Sequence, residues 1–207
     1  DINALHIIFK FYYGGLIMST EKKVSNPGPL GLLGFGCTTI LLNLHNVGLT
    51  ELSVVILAMG VAVGGLAQLV AGIFEFAHGN TFTGTAFVSY SMFWWSLVII
   101  WINPFSAAGI AGADGLSMGF YLLLWGLYTL AMFIGTLKHN RATQAIFGTL
   151  VILFFLLAIE NFTGSHTVAT IAGVVGIICG LCAIYTSFGT IMNTEHGKTI
   201  FPLGEKH

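Results

Sequence analysis

Residues 26–48 read NPGPLGLLGFGCTTILLNLHNVG, a stretch that opens with two prolines and then becomes almost wholly apolar. Proline lacks a backbone N–H, so Pro27 and Pro29 suit the first turn of a helix and fix where that helix begins. Asn26 precedes them and can cap the unpaired N–H groups of that turn. Such a helix start attracts anions if its N–H groups stay free. The stretch predicts an apolar helix with a stiff lead-in, which ends in amides and a histidine.

The composition of the whole chain extends this interpretation. Of its 207 residues, 56% are hydrophobic and 7% are charged, and the mean hydropathy is +0.89. Soluble domains carry about 25% charged residues, so a chain with so few cannot cover a soluble surface. The sequence therefore predicts an integral membrane protein that has the lipid bilayer as its surroundings. A net charge of −1 gives no basis for a nucleic acid partner.

The apolar residues fall into six segments, each near the length of about 20 residues that a spanning helix needs. The chain lacks the residue alternation of a membrane β-barrel, so we predict an all-α, polytopic protein with six transmembrane helices in one bundle. We divide the chain into an N-terminal cytoplasmic segment (1–25), a transmembrane domain (26–192) and a cytoplasmic tail (193–207). Residues 1–17 precede Met18 and are interpreted as an upstream extension, with an interfacial helix as the alternative. The predicted spans are 30–49, 52–75, 81–102, 115–137, 142–159 and 167–191.

The basic residues predict the orientation of these spans. With six spans, every lysine and arginine falls on one side of the membrane, whereas the loops on the other side carry Glu51, Asp114 and Glu160. Because basic residues accumulate on the cytoplasmic side, we predict that both termini are cytoplasmic. The basic residues are Lys10, Lys22, Lys23, Lys138, Arg141, Lys198 and Lys206.

Polar side chains inside the apolar spans indicate where a transported molecule could pass. Amides and hydroxyls in membrane helices usually face the bundle interior or a wet cavity, although any one of them can simply bond a neighbouring helix. From their polarity and position we select five of these residues as candidates for a substrate path. They are Thr38, Thr39, Asn43, Gln68 and Trp94.

Several functions are disfavoured by what the spans lack. They contain no lysine for a Schiff base, no pair of histidines for haem and no Ser/His/Asp set. Cys37, Cys179 and Cys182 lie in apolar runs, so we interpret them as packing residues and infer neither a disulfide nor a metal site. We predict no enzymatic activity, no cofactor and no metal.

Several stretches of the sequence together resemble the acetate uptake transporter family, which includes bacterial succinate–acetate permeases and fungal acetate permeases. The family motif begins Asn-Pro-Ala-Pro-Leu-Gly-Leu, and here Gly28 replaces the alanine. The similarity continues through LAMGVAVGGLAQLVAGIFEFAHGNTFTGTAFVSYSMFW, YLLLWGLYTLAMFIGTLK and the tail FPLGEKH. It covers about residues 24–207.

The resemblance implies a function and an assembly. Members of this family form homohexamers of six-helix protomers, each with its own pore, and they carry acetate or, in some members, succinate. The family's pore narrows at an aromatic pair and a leucine, which correspond here to Phe35, Tyr90 and Leu150. Asn26 heads the motif that the family ties to uptake. The resemblance therefore implies a channel or transporter for acetate or related small carboxylates in the plasma membrane.

Two other interpretations stay open at this point. Urea-type channels also use uncharged, aromatic-lined pores in six-helix bundles, so a channel for a neutral small solute such as urea or an amide is the alternative function. The second interpretation is a purely structural or sensory membrane protein with no transport role, and the polar residues in the spans count against it. The sequence does not distinguish a channel from a proton-coupled symporter, nor acetate from succinate or longer acids.

Overall fold

The computed structural model describes residues 25–205, and within that range the chain contains helices and no strand. The predicted extension over residues 1–17 lies outside the described residues. The all-α prediction is confirmed. The long helices are α1 (Gly28–Asn46), α2 (Val54–Ala77), α3 (Thr81–Ile102), α4 (Gly115–Lys138), α5 (Arg141–Thr163) and α6 (His166–His196).

Five of these helices, α2 to α6, are long and apolar enough to cross a membrane. The first predicted span corresponds to α1, which has 19 residues and is not among the five. Its polar residues, among them Asn43, His45 and Asn46, lower its hydropathy. That α1 also crosses the bilayer stays a prediction.

Local sequence signals explain where the helices begin and end. Pro29 lies in the first turn of α1, as its missing N–H requires. The side chains of Asp114 and Asn140 accept the backbone N–H groups of Ser117 and Thr143, each at 2.9 Å, and so cap α4 and α5. Gly197 ends α6 in the left-handed conformation, with φ of 62°.

The middle of α2 departs from α-helical geometry. Gly60–Ala67 is π-helical, a conformation that inserts an extra residue into the turn and is often found at functional sites. Its glycines receive the indole rings of α3, since a Cβ at Gly64 would lie 2.8 Å from Trp94. The backbone carbonyl of Val61 accepts a 3.0 Å hydrogen bond from Nε1 of Trp95. This segment therefore fixes the two tryptophans against α2.

Helices α1 and α6 pack closely through small residues. A Cβ placed on Gly36 would lie 2.8 Å from the backbone oxygen of Gly180, so only glycine fits at this crossing. Nearer the start of α1, Oγ of Ser187 donates a 2.7 Å hydrogen bond to the carbonyl of Pro29. The crossing with α6 thus fixes the position of α1 in the bundle.

Charged residues distinguish the two ends of the bundle. Short loops join consecutive helices, so α1, α3 and α5 run in one direction and α2, α4 and α6 in the other. We call the end with Lys138, Arg141 and Lys198 the basic end, and the end with Glu51 and Asp114 the acidic end.

The segment after α6 packs at the basic end. Helix α6 continues to His196, four residues beyond the predicted domain boundary at 192. The chain then returns to α5, where the backbone N–H groups of Arg141 and Ala142 donate to the carbonyls of Gly204 and Leu203 at 2.9 and 3.0 Å. The tail therefore caps the N-terminus of α5.

Candidate functional site

Three cavities lie along α1, α3 and α5, between the two ends of the bundle. The basic-end cavity has a volume of about 110 Å³ and is lined by Gly28, Gln68 and His139 among others. The central cavity is only about 20 Å³. The acidic-end cavity, of about 350 Å³, is lined by His45 and Asp114 among others.

Phe35, Tyr90 and Leu150 lie between the basic-end and central cavities. These three residues line both cavities, and no other described residue does. They come from α1, α3 and α5 respectively, and all are buried. The ring centroids of Phe35 and Tyr90 are 6.0 Å apart. The structure thus brings together the three residues that the family resemblance singles out.

The ring of Tyr90 is held firmly by its neighbours. Thr129 on α4 donates its hydroxyl hydrogen to the carbonyl of Trp125 at 2.7 Å, so Tyr90 must donate to Oγ1 of Thr129, 3.0 Å away. The rings of Trp125, Tyr128 and Phe147 surround Tyr90, with centroids 5.8 to 6.2 Å from its own. Sequence reasoning missed Thr129, although a threonine in an apolar span was a visible signal. Tyr90 therefore offers the cavities an aromatic ring whose O–H hydrogen is already used.

Two residues that line the central cavity each carry a buried polar atom without a hydrogen-bond partner in the protein. Thr39 and Trp94 both line it, and Oγ1 of Thr39 and Nε1 of Trp94 are buried without a hydrogen-bond partner. Asn43 also lines the cavity, but its Nδ2 donates to the carbonyl of Thr39 at 2.8 Å and its Oδ1 accepts from Asn46 at 3.0 Å. Because buried polar groups are nearly always paired, the two free donors indicate a place for a polar guest.

Gln68 is the polar residue of the basic-end cavity. It is the first residue after the π-helical segment, only 1% of its surface is exposed, and neither Nε2 nor Oε1 has a partner. A buried amide without a protein partner is costly, so Gln68 is suited to hydrogen-bond a small polar molecule in this cavity.

Two predicted path residues lie away from the cavities. Thr38 is fully buried, but its hydroxyl donates to the carbonyl of Gly34 at 2.8 Å, and Thr38 lines none of the three cavities in the described chain. Asn26 is exposed, and its Oδ1 accepts the N–H of Gly28 at 2.9 Å.

The first turn of α1 offers no free donors for an anion. Besides Gly28, the N–H groups of Leu30 and Gly31 donate to the carbonyl of Pro27, and Pro29 has none. These N–H groups are therefore not available to form an anion site at the start of α1.

Within residues 25–205, the acidic-end cavity carries all the ionisable side chains that line the three cavities, apart from His139 and Tyr90. They are His45, Asp114 and Glu160. Hydrogen bonds from Ser117 lower the pKa of Asp114 below its usual range, so this carboxylate stays ionised at neutral pH. No lysine or arginine in the described chain lines any of the three cavities. A small anion in these cavities would thus meet amides, hydroxyls, two histidines and, at the acidic end, two carboxyl groups, but no lysine or arginine.

Comparison with known proteins places this arrangement in a family. Residues 11–204 match the model of the GPR1/FUN34/yaaH family. The succinate-acetate/proton symporter SatP of Escherichia coli K12 is 50% identical over 188 residues, which cover 90% of this chain and 99% of that protein. Ammonia transport outward protein 2 of Saccharomyces cerevisiae is 38% identical over 188 residues, which cover 88% of this chain and 67% of the yeast protein.

A solved structure supports the same assignment. The bacterial acetate channel SatP superimposes with a TM-score of 0.85 at 49% sequence identity, covering 88% of this chain and 100% of that one. Likeness at this level in both sequence and fold confirms the family resemblance found in the motifs. The chain belongs to the GPR1/FUN34/yaaH family.

Proposed function

We propose that this protein carries acetate, and related small carboxylates such as succinate, across a membrane along a path inside a single chain. The observation that carries this proposal is the match to SatP, which spans nearly all of that symporter at 50% identity. The relatives are named as transporters and a channel, which supports transport as the function. The alternative, a channel for urea or an amide, gains no support from these names.

The lining of the cavities suits a carboxylate that must leave as easily as it enters. Acetate is mostly ionised at neutral pH, because acetic acid is only slightly weaker than a glutamate side chain, whose pKa is about 4.3. Gln68, Thr39 and Trp94 offer hydrogen-bond donors that replace part of its water shell, and no cation holds it tightly. Such weak sites favour conduction over retention.

Phe35, Tyr90 and Leu150 form the proposed constriction of this path. The central cavity beyond them, at about 20 Å³, has room for roughly one water molecule. Acetate has four heavy atoms, so it passes only when side chains move. Because Tyr90 is held by Thr129 and by rings, we assign that movement to Leu150.

The direct test is labelled acetate uptake by the purified protein in sealed liposomes, with and without an inward proton gradient. Acetate flux above that of empty liposomes is expected, with little urea or ammonium flux. Flux that the gradient does not change would indicate a channel, and accumulation only with the gradient would indicate symport. Urea or ammonium flux without acetate flux would overturn the proposal.

Gln68→Leu gives a sharper test of the path. Losing a hydrogen bond to a charged group costs about 1.5–3 kcal/mol, so we expect the acetate concentration at half-maximal flux to rise about tenfold or more. Thermal stability should hold or rise, because the change removes an unpartnered buried amide.

The control for Gln68→Leu is Thr38→Val, which removes a buried hydroxyl that lines none of the cavities. Its acetate flux should stay close to that of the unchanged protein. If Gln68→Leu left acetate transport unaltered, Gln68 would not contact the substrate.

The assembly and location follow from the resemblance and from the charges. We propose a homohexamer with one pore per protomer, in the plasma membrane, with both termini cytoplasmic. The basic end would then face the cytoplasm. Native mass spectrometry in detergent would measure the subunit number, and labelling of a cysteine introduced at Glu51 in intact cells would show whether the acidic end lies outside.

A further inference from the structure

We propose that the path has a second constriction, formed by Leu42, Phe93 and Leu157, and that the chamber between the two constrictions holds one carboxylate. Thr39 and Trp94 would bind that carboxylate. This inference rests on the proposed function and deepens it. It turns a single narrow point into two gates in series around a binding site.

The second constriction follows from the same geometry as the first. Leu42, Phe93 and Leu157 line both the central and the acidic-end cavities, and no other described residue does. They come from α1, α3 and α5, as the first three do. Leu42 and Leu157 each lie seven residues beyond the corresponding member of the first ring, which is about 10 Å along a helix.

Each ring combines a fixed aromatic wall with leucine. The centroid of Phe93 lies 5.1 Å from that of Phe154 and 5.2 Å from that of Trp125, both edge-on, and Tyr121 stacks on it at 5.8 Å. Phe93 therefore has little freedom, and Leu157, which is only half-buried, can move.

The chamber between the rings is suited to a carboxylate. Thr39 and Trp94 are 3% and 2% exposed, and their unpartnered Oγ1 and Nε1 can both donate. A carboxylate accepts hydrogen bonds only, so it complements an indole N–H and a hydroxyl. No ionisable side chain other than Tyr90 lines the chamber in the described chain, and the O–H of Tyr90 already donates to Thr129.

The small volume of the chamber links binding to gating. With about 20 Å³ available, acetate fits only if one ring yields. Movement of Leu150 would enlarge the chamber towards the basic end while Leu157 still closes the acidic side. Movement of Leu157, with Leu150 back in place, would then release the ion towards the acidic end. Two leucines on one helix thus admit and release a carboxylate without an open pore.

The first test uses Leu150→Ala, Leu157→Ala and the double variant in liposomes, with labelled gluconate as a bulky carboxylate and acetate measured in parallel. Each single variant should exclude gluconate, and the double should pass it at least about tenfold above empty liposomes, since both narrow points must open. Size-exclusion chromatography checks folding, and Leu→Val at both positions replaces any alanine variant that aggregates.

The outcomes separate the two proposals. If Leu150→Ala alone passes gluconate as freely as the double variant, there is no second constriction. If the folded double variant carries acetate but excludes gluconate, these leucines do not close the path. If the unchanged protein carries no acetate, the proposed function fails instead.

The second test examines the binding site in the chamber. Trp94→Phe keeps a ring against Gly64 but removes the N–H, and Thr39→Val removes the hydroxyl at nearly constant shape. Each should raise the acetate concentration at half-maximal flux about tenfold, whereas Thr39→Ser should behave like the unchanged protein. If the acetate concentration at half-maximal flux is the same in all three variants as in the unchanged protein, the chamber is not a binding site.

Discussion

Asn43→Asp is expected to lower acetate flux at neutral pH by about a thousandfold. Asn43 lines the central cavity and is 1% exposed, and aspartate has nearly the same shape. Two like charges 4 Å apart repel by about 4 kcal/mol at an effective dielectric constant of 20, and each 1.4 kcal/mol is a factor of ten. An ionised carboxylate here would also compete for the donors of Thr39 and Trp94.

The measurement is initial acetate uptake at neutral pH, with folding checked by size-exclusion chromatography. Asn43→Ser is the matched control, because it is neutral and also loses the 2.8 Å hydrogen bond to the carbonyl of Thr39. It should retain most of the flux. If Asn43→Asp transports as well as the control, either the introduced carboxyl is protonated in the cavity or acetate crosses as the neutral acid, and the predicted repulsion is absent.

The helices could be predicted from the sequence because lipid imposes a simple rule of length and apolarity. The prolines at 27 and 29 gave the start of α1 within two residues. The end of α6 was harder, because the apolar run fades before the helix does. Gly197, in a left-handed conformation, ends the helix at His196 instead.

The cavity lining could not be predicted from residue type alone. Thr38 and Thr39 are neighbours with the same side chain, yet one bonds its own helix and the other lines the central cavity without a partner. Their difference depends on how α1 is rotated in the bundle, which the packing against α6 decides.

Asp114 and Glu160 show a related limit. Their positions near span ends predicted a charged loop, but not that both line one cavity of about 350 Å³. That arrangement depends on how the start of α4 and the end of α5 meet. Sequence pattern identifies each element, whereas the cavities form between elements.

Gly180→Ala is expected to be strongly destabilising, because α1 and α6 touch through backbone at this point. A Cβ on Gly180 would lie 2.6 Å from Cγ1 of Ile40 and 2.8 Å from the backbone oxygen of Gly36. A rotamer change can move the side chain but not the oxygen, so the helices must separate. Such overpacking costs about 3 kcal/mol. For a chain of this size we expect the thermal midpoint to fall by about 10 °C.

The matched control for Gly180→Ala is Gly126→Ala on α4. A Cβ at Gly126 would lie 3.4 Å from its nearest neighbours, Cβ of Phe154 and Cε1 of Phe155, which is ordinary contact. Alanine is also more favourable than glycine in a helix by up to about 1 kcal/mol. The thermal midpoint of Gly126→Ala should therefore stay the same or rise. Because α1 carries Phe35, Thr39 and Leu42, Gly180→Ala should also lose acetate flux. If the thermal midpoint of Gly180→Ala equals that of the control, α1 and α6 do not approach each other this closely. The position of α1, and with it the shape of the cavities that α1 lines, would then be different from the one described.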